Sequence, residues 1–142
     1  MPRKSTEIAV LEFTQAIGLL VRRVRAAAAS HELSLTESAV MTRLDKEGPA
    51  TTAELARAEG MKPQSMGATV AALEEMGMVE RKPHPTDGRQ ILFVLTTHGL
   101  DELHRRRAIK REWMVDALAK FEPAEVEALA AAIPLIRRLG EA

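Results

Sequence analysis

The chain contains no cysteine among its 142 residues. That excludes disulfides, thiolate metal sites, thiol-based redox sensing and a cysteine nucleophile. Tyrosine is absent as well, and Trp113 is the only tryptophan. Net charge is missing in the same sense: 20 basic and 20 acidic residues cancel, whereas nucleic-acid-binding domains are often strongly basic. A zero sum still permits a local patch, so charge has to be weighed segment by segment. No apolar run approaches the roughly 18 residues of a membrane span. The polar start, Met1 to Glu7, lacks the apolar core of a signal peptide. A soluble, cytoplasmic protein without a membrane partner is expected. There is no glycine-rich phosphate loop and no His-Glu-x-x-His pair. The four histidines, His31, His84, His98 and His104, are dispersed.

What is present is a chain with 46% hydrophobic and 28% charged residues, a balance that suits one folded domain over residues 1–142 rather than disorder. The spacing predicts a long helix over 6–29, in which Val10, Phe13, Ile17, Leu20 and Val24 make one apolar stripe. A polar break over 30–34 precedes a second helix that starts near Leu35 and ends at Glu47-Gly48-Pro49, where glycine can cap and proline cannot continue. Thr51-Thr52-Ala53-Glu54 is a capping box that opens a short helix, Thr52 to Glu59. Pro63 suits the first position of the next helix, which runs to about Met76 with Met66, Val70 and Leu73 turned inward. Met78 to Arg81 and Ile91 to Leu95 read as two strands, joined by a turn with Asp87-Gly88 as its hairpin signal. Long helices are expected over 97–120 and 123–139. In the last, Val126, Leu129, Ile133 and Ile136 form a second apolar stripe.

A short helix, a glycine turn and a following helix make a helix-turn-helix unit, and the hairpin behind it makes a wing. The fold class expected is therefore mainly α with a small β-hairpin: a winged helix-turn-helix over 34–96, flanked by N- and C-terminal dimerisation helices over 6–29 and 97–139. The second helix of such a unit enters the major groove N-terminal end first. Lys62, Gln64, Ser65, Gly67, Ala68 and Thr69 stand there. Gln bonds adenine edges, Ser and Thr bond bases or phosphates, and Lys neutralises phosphate. Gly67 and Ala68 are small enough for thymine methyls to come close. Thr52, at the head of the short helix, belongs to the same candidate set. On the hairpin, Arg89 is placed to reach an adjacent minor groove, with Arg81, Lys82 and His84 on the ascending side.

Between Lys62 and Arg89 four basic residues (Lys62, Arg81, Lys82, Arg89) meet four acidic ones (Glu74, Glu75, Glu80, Asp87). Because affinity scales with the phosphates neutralised, one copy is expected to bind weakly and two copies are needed. The outer helices supply the means. Their stripes, Val10, Phe13, Ile17 and Leu20 in one and Val126, Leu129, Ile133 and Ile136 in the other, must be buried against something. A two-fold pairing buries both and sets two recognition helices about 34 Å apart.

The segment from Gly60 to Val70, followed by Leu73-Glu74 and Gly77 to Arg81, resembles the recognition helix and first wing strand of the MarR family of bacterial transcriptional regulators. Asp87-Gly88-Arg89 resembles that family's Asp-x-Arg wing signature, and Leu95-Thr96 followed by Gly99 resembles the junction into its fifth helix. The resemblance implies a homodimer joined through the terminal helices, Arg89 as the minor-groove contact with Asp87 ordering the wing, a short palindromic double-stranded DNA site, and release by a small aromatic or phenolic effector held between the dimer and DNA-binding parts. Repression is the expected direction, and no cofactor is implied. Two departures stand out. Family members often carry polar or basic residues where Gly67 and Ala68 stand, so base readout rests on Gln64, Ser65 and Thr69. The redox-sensing branch needs a cysteine, which this chain lacks.

The sequence leaves three other functions open. An enzyme built on His84 and Asp87 would sit on a hairpin tip, a poor place to exclude water. A metal-responsive regulator would draw on His98, Asp101, Glu102 and His104, and a protein-binding winged helix would explain the neutral charge. Seven methionines could line an adaptable pocket, although Met at helical spacing is usually core.

Overall fold

The computed structural model describes residues 2–28 and 33–142, with side chains from residue 6 onward. The chain runs α1 (Pro2–Ala27), α2 (Leu35–Glu47), α3 (Thr52–Ala58), α4 (Pro63–Glu75), β1 (Val79–Pro83), β2 (Ile91–Leu95), α5 (Thr97–Leu118) and α6 (Pro123–Gly140). The mainly helical order with one hairpin is the one expected. Residues 30–32 of the expected polar break, and residue 29 at the end of the first helix, lie outside the described residues.

Two compact units emerge: Met1–Ala28 with Ala108–Ala142, and Ala29–Arg107. The second holds the core. Val40, Met41 and Leu44 of α2, Leu55 and Ala56 of α3, Met66, Val70 and Leu73 of α4, Val79 and Phe93 of the hairpin, and Leu103 of α5 form one buried cluster. Met41, Met66 and Met78 are core residues, so these methionines fill space in the core. β1 and β2 are antiparallel, from Val79 opposite Leu95 to Pro83 opposite Ile91. Ala50 adds a single bridge to the other edge of β2, exchanging backbone hydrogen bonds with Phe93 at 3.2 and 2.8 Å. β2 lies against α2 and α3, and α4 packs on both of those helices.

Local chemistry explains the helix starts. Ser34 and Glu37 form a capping box at α2, and Thr51 and Glu54 form the same device at α3. Two pairs tie helices across this unit: Arg43 on α2 bonds Glu59 beyond α3 at 2.9 Å, and Arg107 on α5 bonds Asp45 on α2 at 3.0 Å. The hydrogen bond to Glu59, then that to Glu47, raises the Arg43 guanidinium above its ordinary pKa. Within α5, buried Glu102 pairs with Arg105 and with buried Arg106. A carboxylate out of water needs such partners.

The step from hairpin to α5 is made by Thr96 and Gly99. The Thr96 hydroxyl donates to the Gly77 carbonyl at 2.5 Å and accepts from the Gly99 amide at 2.9 Å. A side chain at Gly99 would collide with the Met78 carbonyl, which is backbone and cannot swing away. Gly99→Ala is therefore expected to destabilise the fold by about 3 kcal/mol, the upper range for overpacking. Urea denaturation checks this, and an unchanged midpoint would contradict the close approach.

The other unit is built differently. Among its described residues only Ala28 is buried, and α6 has no buried residue at all. Arg23 of α1 lies over the Trp113 ring of α5, 5.8 Å from its centroid, a cation–π contact. Val10 at 59%, Phe13 at 44% and Leu20 at 43% stay exposed on α1, as do Leu129 at 48%, Ile133 at 52% and Ile136 at 41% on α6. Ile17 and Val126 are half-buried. Most of each predicted stripe is thus exposed to solvent in the single chain.

Candidate nucleic-acid interface

Gly60 makes the turn between α3 and α4. Its φ of 65° is the left-handed conformation that glycine adopts without penalty, and the Met61 amide returns to the Ala56 carbonyl at 2.8 Å. Pro63 then starts α4 directly after Lys62. Burial of Met66, Val70 and Leu73 fixes which side of α4 remains outside. Gln64 and Ala68 sit at the centre of the outer face with Ala71, and all three are exposed. Gly67 lies toward the hairpin, half-buried. Exposed Ser65 and half-buried Thr69 lie on the opposite flank, where the Thr69 hydroxyl donates to the Ser65 carbonyl at 3.1 Å. The Thr69 oxygen keeps its acceptor capacity, whereas its donor is used within the helix.

Between α3, α4 and the hairpin lies an open recess of about 750 Å³, lined by Thr51, Thr52, Arg57, Gly67, Arg81 and Arg89 among others. Three arginines stand on its lining with one acidic residue, Glu54, whose Oε1 accepts from the Thr51 amide at 3.2 Å. One of the three, Arg81, is paired with Glu74, so a chain with no net charge still leaves a local excess of positive charge here. Arg57 was not among the sequence candidates. It stands one turn after Ala53, on the side of α3 away from buried Leu55, and that periodicity was the available signal. Gln90 and Ile91, also on the lining, carried no signal at all.

The two wing arginines are in different states. Arg81 bonds Glu74 of α4 at 2.8 Å and lies over the Phe93 ring, 5.7 Å from its centroid. The hydrogen bond it donates to Glu74 raises its pKa above the ordinary guanidinium value. Arg89 is exposed at the tip. Its backbone amide donates to Asp87 Oδ1 at 3.0 Å, and Gln90 Nε2 donates to Asp87 Oδ2 at 3.2 Å. The Asp87 carboxylate is therefore spent on the loop backbone and on Gln90, an ordering role. The connection is a wide loop that takes in the expected turn from Pro83 to Gly88 and is closed by the His84 amide bonding the Gln90 carbonyl at 3.3 Å. It is not a two-residue Asp-Gly turn, which needs positive φ at glycine: Gly88 is not among the positive-φ glycines, which are Gly48, Gly60 and Gly77.

Other candidates fare differently. His98 and His104 are exposed on α5 with Asp101. Among the described residues no three His, Asp or Glu side chains group as metal ligands. Among the same residues no helix is long and apolar enough to cross a membrane.

A helix-turn-helix with a positively charged recess between its second helix and a two-stranded wing defines a winged-helix DNA-binding transcriptional regulator. The MarR family model matches residues 33–91. The HTH-type transcriptional regulator MT0903.1 of Mycobacterium tuberculosis is 34% identical over 128 residues, covering 90% of each chain. The HTH-type transcriptional repressor Rv2887 of the same species is 30% identical over 106 residues, covering 74% of this chain and 76% of that one. The crystal structure of Rv1404, also from Mycobacterium tuberculosis, superposes with a TM-score of 0.86 at 25% identity, over 96% of this chain and 95% of that one. The chain belongs to the MarR family of transcriptional regulators. Its members are DNA-binding regulators and not enzymes.

Proposed function

We propose that the protein is a homodimeric repressor that binds a short palindromic operator through α4 and the wing, with residues 34–96 as the DNA-binding module and the helices of 6–29 and 97–139 as the dimer contacts. The observation that carries this reading is the recess itself: Gly67 and Ala71 of α4 and three arginines border one concave surface, beside the exposed face of α4 that bears Gln64 and Ala68. In this reading Gln64, Ser65 and Thr69 meet base edges in the major groove. Gly67 and Ala68, with Ala71, let the helix approach closely. Lys62, Thr52 and Arg57 meet phosphates, and Arg89 enters the flanking minor groove. Arg81, anchored on Glu74 and Phe93, contributes a fixed positive charge, and Asp87 holds the loop in shape.

The exposed stripes of α1 and α6 support the dimer, because so many adjacent large apolar side chains left in water mark an association surface. Repression is supported by the name of the Mycobacterium tuberculosis relative Rv2887. Release by a small aromatic ligand is the last part of the proposal, and thermal stabilisation by an aromatic acid would support it.

Footprinting on the DNA upstream of the protein's own gene tests the central claim. A protected palindrome with half-sites about one helical turn apart is expected. With roughly six phosphates neutralised per dimer, log K should fall against log salt with a slope near −5. An unprotected region, or affinity indifferent to salt, would overturn the reading.

A further inference from the structure

The wing loop is organised by an imidazole. His84 stands between Pro83 and Pro85, and a residue before proline is held extended. From that position its Nδ1 accepts from the Thr86 amide at 3.2 Å and from the Asp87 amide at 3.1 Å. The Thr86 hydroxyl lies 3.4 Å from the same nitrogen. Backbone amides can only donate, so this nitrogen carries no proton and the ring is the neutral Nε2–H tautomer. The bonding pattern is that of an Asx turn, in which a side-chain acceptor two or three residues back caps free amides. Here a histidine does the work of an asparagine.

The consequence travels two residues along the chain. Fixing the Asp87 amide fixes the Asp87 carboxylate, which accepts from the Arg89 amide and from Gln90 Nε2. The Asp87 carbonyl accepts from the Gln90 amide at 3.1 Å. Every hydrogen bond that sets the backbone from which Arg89 projects therefore begins at His84 or at the residue it caps. We propose that His84 is a positioning residue for DNA recognition: its unprotonated Nδ1 sets the wing-tip backbone so that Arg89 is presented to the DNA. This rests on Arg89 being a DNA contact.

The test is a set of operator affinities with a spectroscopic check. His84→Ala is expected to weaken binding about tenfold, the loss of one to two net hydrogen bonds in a preorganised loop. His84→Asn, whose Oδ1 replaces the acceptor, should stay within about twofold of the parent. In an Arg89→Ala background, His84→Ala should change affinity by less than about twofold, because residues acting through one contact are not additive. Nitrogen-15 NMR of the unmodified protein at mildly alkaline pH should show His84 as the Nε2–H tautomer. A full, additive His84→Ala effect in the Arg89→Ala background would overturn the proposal. So would no effect of His84→Ala in the parent, failure of Asn to rescue, or the Nδ1–H tautomer. In each of these cases the wing contact stands as long as Arg89→Ala alone weakens binding. If Arg89→Ala alone changes nothing, the wing reading itself falls and this proposal falls with it.

Discussion

Ile133→Asp is expected to convert the protein from dimers to single chains at micromolar concentration. Ile133 is 52% exposed on α6 and α6 has no buried residue, so the substitution removes little from the fold of the chain that carries it. In the proposed dimer the same position is covered. Losing a buried isoleucine costs about 1.5–3 kcal/mol, and a two-fold interface suffers the loss twice. Two carboxylates forced toward an apolar seam add a desolvation penalty. The sum, about 4 kcal/mol or more, raises the dissociation constant roughly 1,000-fold. Sedimentation velocity reads this directly, with circular dichroism to show that the helices remain. A dimer that persists would remove α6 from the interface. Specific operator binding should fall with the dimer, since half-site spacing is set by two joined copies.

Arg89→Ala should leave the dimer intact and weaken operator binding about 100-fold. Each protomer presents one Arg89, and loss of an arginine contact to DNA costs about 1–3 kcal/mol. Two copies at the lower end of that range give about 2–3 kcal/mol, or about 100-fold. The salt slope should shrink by about 2 as two phosphate-region charges disappear. Arg89 is suited to this role because it is exposed at the tip while its amide is pinned to Asp87: the backbone is set and the long side chain is left to reach. An equilibrium binding assay over a salt series measures both effects. Unchanged affinity and slope would take the wing out of the site.

Periodicity and punctuation carried much of the fold. The stripes on α1 and α6, the Thr51–Glu54 box, Pro63 at the head of α4 and the inward Met66, Val70 and Leu73 are all one-dimensional signals, and all are present in the structure. Ser34-Leu35-Thr36-Glu37 carries the same capping signal at the helix start expected near Leu35. The interface was less accessible, for a physical reason. Arg57 reaches the recess only because α3 lies against β2, a tertiary fact. β1 brings Arg81 beside Glu74, seven residues back, a pairing that leaves the zero balance of the segment from Lys62 to Arg89 unchanged. What a count along the chain misses is placement: Arg57 of α3 joins Arg81 and Arg89 on the recess lining, whereas Glu75, Glu80 and Asp87 are not on it. The wing turn itself was legible through Asp87-Gly88, but its capping by the His84 ring nitrogen was not, because a histidine acceptor has no comparable sequence mark.

The outward stripes of α1 and α6 carry one more consequence. In the proposed dimer these apolar faces are covered only by a second copy, so part of the stability would come from mass action. Diluted, such a dimer should become less stable and lean toward dissociation. An operator with two adjoining half-sites counters this, because a first protomer on DNA raises the effective concentration seen by a second. The DNA site then acts as the template on which the regulator completes itself, and occupancy would rise more steeply with protein concentration than one-to-one binding allows.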